Sequence, residues 1–246
     1  MEKSGLSYQL LTDEQFRKLF GKPAGAVDEA DAGNKETIRL YRKLIESGEL
    51  GRLNRFVSGN LKRCTSMSDV QELMAGYMRR AMSGYADKLE FVGLGATRIV
   101  FVGKDGVALK FQYNCNSTQM EEELLAQTSY PDAQCFPRLF DYDRDEMMSA
   151  AVECCREATD DDFVKLYGHP FAVVYRATAC LARGDEPELP DLAESISNGD
   201  EPKWRSLRDL SAFLRKHRLI DIDEVWNWGV ACRDGKFVPV VIDIGL

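Results

Sequence analysis

The stretch Gly93-Leu94-Gly95-Ala96-Thr97-Arg98-Ile99-Val100-Phe101-Val102-Gly103-Lys104-Asp105-Gly106-Val107-Ala108-Leu109-Lys110 decides the fold class. Leu89–Val92 and Thr97–Val102 are short β-prone runs. Lys104-Asp105-Gly106 then carries the Asp-Gly pair that turns one strand back into the next, here Val107–Phe111. Gly93 and Gly95 thus fall between two strands, whereas the glycines of a dinucleotide-binding turn open a helix. A Walker-type loop needs Gly-Lys-Ser/Thr, and that triplet is absent from the chain. A glycine turn between strands lets backbone N–H groups approach phosphate oxygens where a Cβ would obstruct them. Lys110, on the strand after the hairpin, puts an ammonium within reach of the same phosphates.

Working back towards the start, residues 1–88 read as helical. Thr12–Gln15 has the form of a capping box and is followed by Phe16, Leu19 and Phe20 on one face. Lys22–Asn34, rich in Gly, Ala and Asp, reads as a linker. Ile38, Tyr41, Leu44 and Ile45 recur at helical spacing up to Gly48, and a further helix is expected through Leu50, Leu53 and Phe56. Ser68–Gln71 is a second capping box, opening a helix with Leu73, Met74, Tyr77, Met78 and Ala81 inward.

Working forward, Thr118–Gln127 is helical and carries Glu121, Glu122 and Glu123. Phe136-Pro137 and Asp141-Tyr142-Asp143 bracket a short strand, and Met148–Val152 is another. Helices are expected at Asp161–Leu166, Ala172–Leu181 and Leu207–Leu214, with the acidic triplet Asp160-Asp161-Asp162 at a helix N-terminus. Gly184–Asp200, acidic and containing Pro and Gly, reads as a solvated loop. The chain closes on a hairpin, Gly229–Cys232 and Phe237–Ile242, turned by Asp234-Gly235.

Composition narrows the class of function. The 246 residues are 44% hydrophobic and 29% charged, enough apolar material for a real core. Lys and Arg total 32 against 40 for Asp and Glu, a net charge of −8, which argues against a dedicated nucleic-acid binder. Seven cysteines with no CxxC pair fit neither a disulfide framework nor a zinc knuckle, and two histidines cannot build a multi-histidine metal site. The cysteines are expected to be reduced and to pack as small apolar residues. Glu2, Asp13 and Glu14 interrupt the first twenty residues, and the longest mostly apolar stretch, Phe171–Ala182, contains Arg176. No signal peptide, no membrane partner and a cytoplasmic location are therefore expected.

The far end of the chain supplies the second half of the constellation. Asn227 and Asp243 sit at the two ends of the final hairpin and offer hard oxygen ligands suited to Mg2+. Asp221 lies six residues before Asn227, placed to accept a proton from an attacking hydroxyl, and Asp223 is a rival for that role. Lys110 with an acidic partner on the following helix completes the set.

In this order, Gly93-x-Gly95, Val107-Ala108-Leu109-Lys110, Glu123, Asp221, Asn227-Trp228-Gly229 and Asp243-Ile244-Gly245 resemble the protein-kinase-like superfamily, closest to its small divergent phage and bacterial members. The resemblance covers Leu89–Leu246. It implies a two-lobed α+β fold with an abbreviated C-lobe: an N-terminal helical region at 1–88, an N-lobe of antiparallel sheet plus one helix at 89–156, and a mainly helical C-lobe at 157–246. It implies ATP and Mg2+ as cofactors, Gly93 and Gly95 over the phosphates, and Lys110 contacting them with Glu123 as its partner, chosen because Gln119-x-x-x-Glu123 fits the small-kinase pattern. Val152-Glu153-Cys154-Cys155 resembles the segment whose backbone binds adenine. Asp221 is the implied catalytic base, and Asn227 and Asp243 the metal ligands. The chain departs from the family in having Arg98 where the third loop glycine stands and in lacking His-Arg-Asp, and His217-Arg218 reads as the C-terminal cap of the preceding helix. The sequence runs only three residues past Asp243, so the resemblance implies no activation segment. The function implied is transfer of the γ-phosphoryl group of ATP to a protein or small-molecule hydroxyl, the alternative being a pseudokinase that works as a nucleotide- or protein-binding regulatory module.

Overall fold

The computed structural model describes residues 35–48, 88–94, 97–112, 117–217 and 222–243, together with Ser66, Asp69 and Leu73. The expected helix after Thr12, the linker 22–34 and the helix through Leu53 lie outside the described residues. Antiparallel sheets and helices alternate along the chain, which divides into two compact units.

The described part of the first unit is 35–48, 88–94, 97–112, 117–121 and 139–153, with Ser66, Asp69 and Leu73. It contains α1 (Glu36–Glu46) and five strands, β1 (Leu89–Leu94), β2 (Arg98–Gly103), β3 (Val107–Gln112), β4 (Leu139–Tyr142) and β5 (Ser149–Glu153). They form one antiparallel sheet in the order β1-β2-β3-β5-β4. The β2–β3 hairpin closes through Lys104-Asp105-Gly106, with Gly106 at φ 77°, the left-handed position that a three-residue loop assigns to glycine. Pairing of Val100 with Lys110 and of Lys110 with Ala150 fixes the faces. Residues 98, 100, 102, 108, 110, 112, 150 and 152 share one face; residues 99, 101, 107, 109, 111, 149 and 151 share the other.

Helix α1 covers the second face. Ile38, Tyr41 and Leu44 are buried along one stripe, as their spacing requires. The Tyr41 ring lies 6.4 Å from that of Phe111, its hydroxyl shares a 2.9 Å hydrogen bond with Ser149, and Arg42 reaches Asp141 at 2.6 Å. Burying Ile99, Leu109 and Phe111 under this helix contributes roughly 1.5–3 kcal/mol each. The start of α1 is held by the hairpin tip: Asp105 accepts from the Thr37 amide at 2.9 Å and from its hydroxyl at 2.6 Å. A Cβ on Gly103 would stand 1.8 Å from the Thr37 hydroxyl, so the helix can approach only because that residue has no side chain. Of the capping box expected at Ser68 and the helix expected after it, only Asp69 and Leu73 lie among the described residues; there the Ser66 amide donates to Asp69 and the Asp69 amide donates back to the Ser66 hydroxyl.

The described part of the second unit is 122–138, 154–217 and 222–243. Helix α2 (Gln119–Ser129) runs into it from the first unit, followed by β6 (Arg156–Glu157), α3 (Asp160–Tyr167), α4 (Phe171–Arg183), α5 (Pro190–Asn198), α6 (Pro202–Leu214), a 3-10 turn at Val225–Asn227, β7 (Trp228–Arg233) and β8 (Lys236–Val241). Strands β6-β7-β8 form a small antiparallel sheet. Its hairpin is turned by Asp234 (φ 53°) and Gly235 (φ 74°), both left-handed as a two-residue turn of this type demands. Phe163, Phe171 and Trp228 meet edge to face with centroids 5.0–5.7 Å apart, tying α3 and α4 to β7.

Helix α5 corrects the loop expected over Gly184–Asp200. Leu192, Ala193 and Ile196 are buried on one side, and Pro190 occupies the first helical position, where its missing N–H costs nothing. The proline marks the start of an element, although it reads as a breaker in the sequence. The acidic triplet does open a helix. Thr159 caps α3 through the Asp162 amide, and Asp162 reaches back to the Thr159 amide and bonds Arg156 through both carboxylate oxygens.

Candidate functional site

In the first unit, Lys110 sits on β3 between β2 and β5, the centre of the sheet. It is only 8% exposed although charged. The pairings Gly93–Val100, Val100–Lys110 and Lys110–Ala150 put these four residues in one row across four strands. Gly93 thus lies within β1 and not in the turn after it, a correction to the sequence reading, and a bulge falls between Phe91 and Gly93. Gly95 lies outside the described residues. Gln112, two residues beyond Lys110 on the same face, accepts from the Met120 amide at 2.9 Å and donates to the Ser117 carbonyl, and Thr97 bonds Gln119 at 2.7 Å. These contacts fix the start of α2 against the ends of β2 and β3. Of the three acids on that helix, Glu121 is exposed, Glu122 half-buried and Glu123 buried to 1% exposure.

In the second unit the final hairpin brings two of the expected ligands together. Trp228 pairs with Val241, and beyond that pair the Asn227 carbonyl accepts from the Ile242 amide at 2.9 Å and the Asp243 amide at 3.3 Å. Asn227 and Asp243, sixteen residues apart in sequence, are thereby backbone partners at the open end of the hairpin. Both are half-buried. Gly229, next in β7, is required by close approach: a Cβ there would meet Ile242 at 2.6 Å and Cys155 at 2.9 Å.

The segment proposed to carry the base is anchored to the same hairpin. Trp228 is fully buried and its indole N–H donates to the Ile222 carbonyl at 2.8 Å, while Ile222 itself is buried in the core. Trp226, on the opposite side of Asn227, is 52% exposed. Asp223 is exposed, and its charge, after burial, raises the Tyr175 hydroxyl above its ordinary pKa. Asp221 lies outside the described residues. His217, expected as a helix cap, follows α6, donates its amide to the Phe213 carbonyl, stacks on the Phe213 ring and shares a 2.8 Å hydrogen bond with Tyr130.

The segment compared with an adenine-binding backbone runs from the end of β5 into β6. Glu153 and Cys155 are half-buried and Cys154 is buried. The chain passes from the first unit to the second between Glu153 and Cys154. Arg156, next in line, is pinned by Asp162. Burial pushes the Asp162 carboxyl up, but hydrogen bonds from Arg156 and Thr159 outweigh it and hold the group below the usual carboxylate range. Glu157, paired with Gly229, is raised by burial.

Of the five described cysteines, Cys135, Cys154 and Cys180 are buried. Burial pushes the Cys135 thiol far up, which makes it unsuited to nucleophilic work. Sequence reasoning missed Arg233, fully buried and donating to the carbonyls of Gln134 and Phe136 at 2.7 Å each. Arg98, noted in the sequence only as a departure at the third loop glycine, is 7% exposed on the face of the sheet that carries Lys110. Burial of a charged residue can be read only from coordinates. Among the described residues no group of three or more His, Cys, Asp or Glu is gathered as a metal site, and no helix is long and apolar enough to cross a membrane.

No family model matches the chain, and no curated protein matches it. Among solved structures, a ternary complex of streptomycin, ATP and APH(2")-IIa matches over 69% of this chain and 73% of that one, with 8% sequence identity and a TM-score of 0.30. A likeness of that size decides neither fold nor chemistry.

Proposed function

We propose that the chain is a kinase-like phosphotransferase that takes the γ-phosphoryl group from ATP with Mg2+ and passes it to a hydroxyl of a protein or small molecule. The observation that carries this reading is the backbone pairing of Asn227 with Asp243, which gathers an amide and a carboxylate at one end of a hairpin. Two hard oxygen donors fit Mg2+, which keeps most of its shell for water and phosphate oxygens and takes few ligands from protein. Bound there by Asn227 and Asp243, the ion would offset negative charge on the phosphates.

The remaining roles belong to the chain's own groups. Lys110 places a fixed cation on the α- and β-phosphates, and its partly desolvated position strengthens that attraction over what water allows. Gly93 and Gly95 leave room for backbone N–H groups beside the phosphates. Glu123 orients the Lys110 ammonium, and the backbone from Glu153 to Cys155 holds the adenine ring. Asp221 accepts the proton of the acceptor hydroxyl as its oxygen bonds the γ-phosphorus; the bond to the β-phosphate oxygen breaks and ADP leaves. Asp223, exposed one residue beyond the anchored Ile222, is the second candidate for that base.

The alternative is a pseudokinase, favoured by the missing His-Arg-Asp and by the exposure of Asp223, which leaves it without the desolvation that tunes a catalytic base. One titration series separates the readings. ATP binding by calorimetry should be tighter with Mg2+ than without, Asp243→Asn should abolish that difference, and Asp221→Ala should remove ADP formation while leaving ATP binding intact. Binding without any Mg2+ dependence would overturn the reading. Binding that is Mg2+-dependent but produces no ADP with any hydroxyl acceptor would select the pseudokinase.

A further inference from the structure

Arg98 and Lys110 are both buried, 7% and 8% exposed, and both leave the same face of the β2–β3 ladder. Arg98 pairs with Gln112, and Val100 pairs with Lys110, so the two cations are diagonal neighbours across adjacent strands. At that spacing two long side chains on one face are within reach of each other. Like charges brought together out of water repel, and the repulsion grows as the local dielectric falls. Both side chains interact within the chain as well, so an anion would be a further partner for each of them. Arg98 is also the first residue of β2, three positions after Gly95 in the sequence. A planar guanidinium in that position offers a two-pronged donor set, which phosphate oxygens match better than an ammonium does.

We propose that Arg98 is a second phosphate-binding cation, which reads the length of the polyphosphate: Lys110 and Arg98 together hold a nucleoside di- or triphosphate, on neighbouring phosphates, and discriminate against the unphosphorylated nucleoside. This rests on the nucleotide-binding reading of the Lys110 face.

The test is calorimetric titration of wild type, Arg98→Gln, Arg98→Lys and Lys110→Met with ATP, ADP and adenosine, each variant first checked for the wild-type circular dichroism spectrum. Arg98→Gln should weaken ATP and ADP about tenfold, the loss of one charge-assisted contact, and leave adenosine within about twofold. Arg98→Lys should recover part of the loss, and the salt dependence of ATP binding should become shallower in Arg98→Gln. An Arg98→Gln protein that loses ATP and adenosine affinity alike would show the arginine to be a structural ion-pair partner and would overturn the proposal. The same holds if ATP affinity is unchanged. If wild type binds none of the three ligands, the nucleotide reading itself falls and takes the proposal with it, an outcome distinct from the selective results above. Should Arg98→Gln fail to fold, Arg98→Lys carries the test alone, with a selective change of the ATP-to-adenosine affinity ratio expected and an unchanged ratio fatal.

Discussion

Helices α1 and α3 both begin against an aspartate, but by different routes. Asp162 belongs to its own helix: it stands three residues after Thr159, closes a capping box with it, and is locked by Arg156 six residues upstream. Asp105 lies 68 residues from Thr37, on the tip of a hairpin, and caps α1 from outside. Locally the chemistry is the same, a carboxylate accepting from first-turn N–H groups that have no intrahelical partner. The difference lies in what each cap joins. Asp162 joins a helix to the strand just before it, whereas Asp105 joins a helix to the tip of a hairpin of inner strands that the chain reaches only much later.

Removing each carboxylate sharpens the contrast. Asp162→Ala should have the largest effect, about 3–5 kcal/mol of stability, because it strands the buried Arg156 guanidinium as well as uncapping α3; thermal unfolding followed by circular dichroism measures it. The same group makes the protein acid-sensitive in a defined direction. Its pKa in the fold is depressed, so it contributes stability above the ordinary carboxylate range and loses it as pH falls through the folded value. Asp162→Asn should therefore flatten the loss of stability that wild type shows as pH falls below the ordinary carboxylate range; an unchanged acid profile would mean that other carboxylates dominate. Asp105→Ala should have the smallest effect, about 1–2 kcal/mol, the ordinary cost of a lost cap, with hydrogen exchange accelerated in α1 more than in β3.

That pairing also marks how far the sequence could be read. Hairpins announced by Asp-Gly, the α1 stripe and the acidic opening of α3 were all legible, because each depends on residues close together in the chain. The meeting of Asn227 with Asp243 was half legible: both ends of a hairpin are visible in sequence, but the register that pairs them is not. Asp105 reads as a turn residue and nothing more, since its partner Thr37 cannot be inferred from a distance of 68 positions. The burial of Arg233 and of Arg98 carries no mark in the sequence, because it depends on what the fold packs over each. Helix α5 was lost to a different cause, a proline whose meaning depends on whether a helix follows it.

The indole pair around Asn227 has a practical consequence. Trp228 is sealed in the core with its N–H committed to Ile222, while Trp226, two residues earlier, faces solvent. Collisional quenchers reach the second and not the first, so emission from this stretch separates into an accessible and a shielded fraction. Any molecule settling beside Asn227 should protect the accessible fraction and leave the shielded one as an internal reference, which gives the proposed site an intrinsic optical reporter that needs no label.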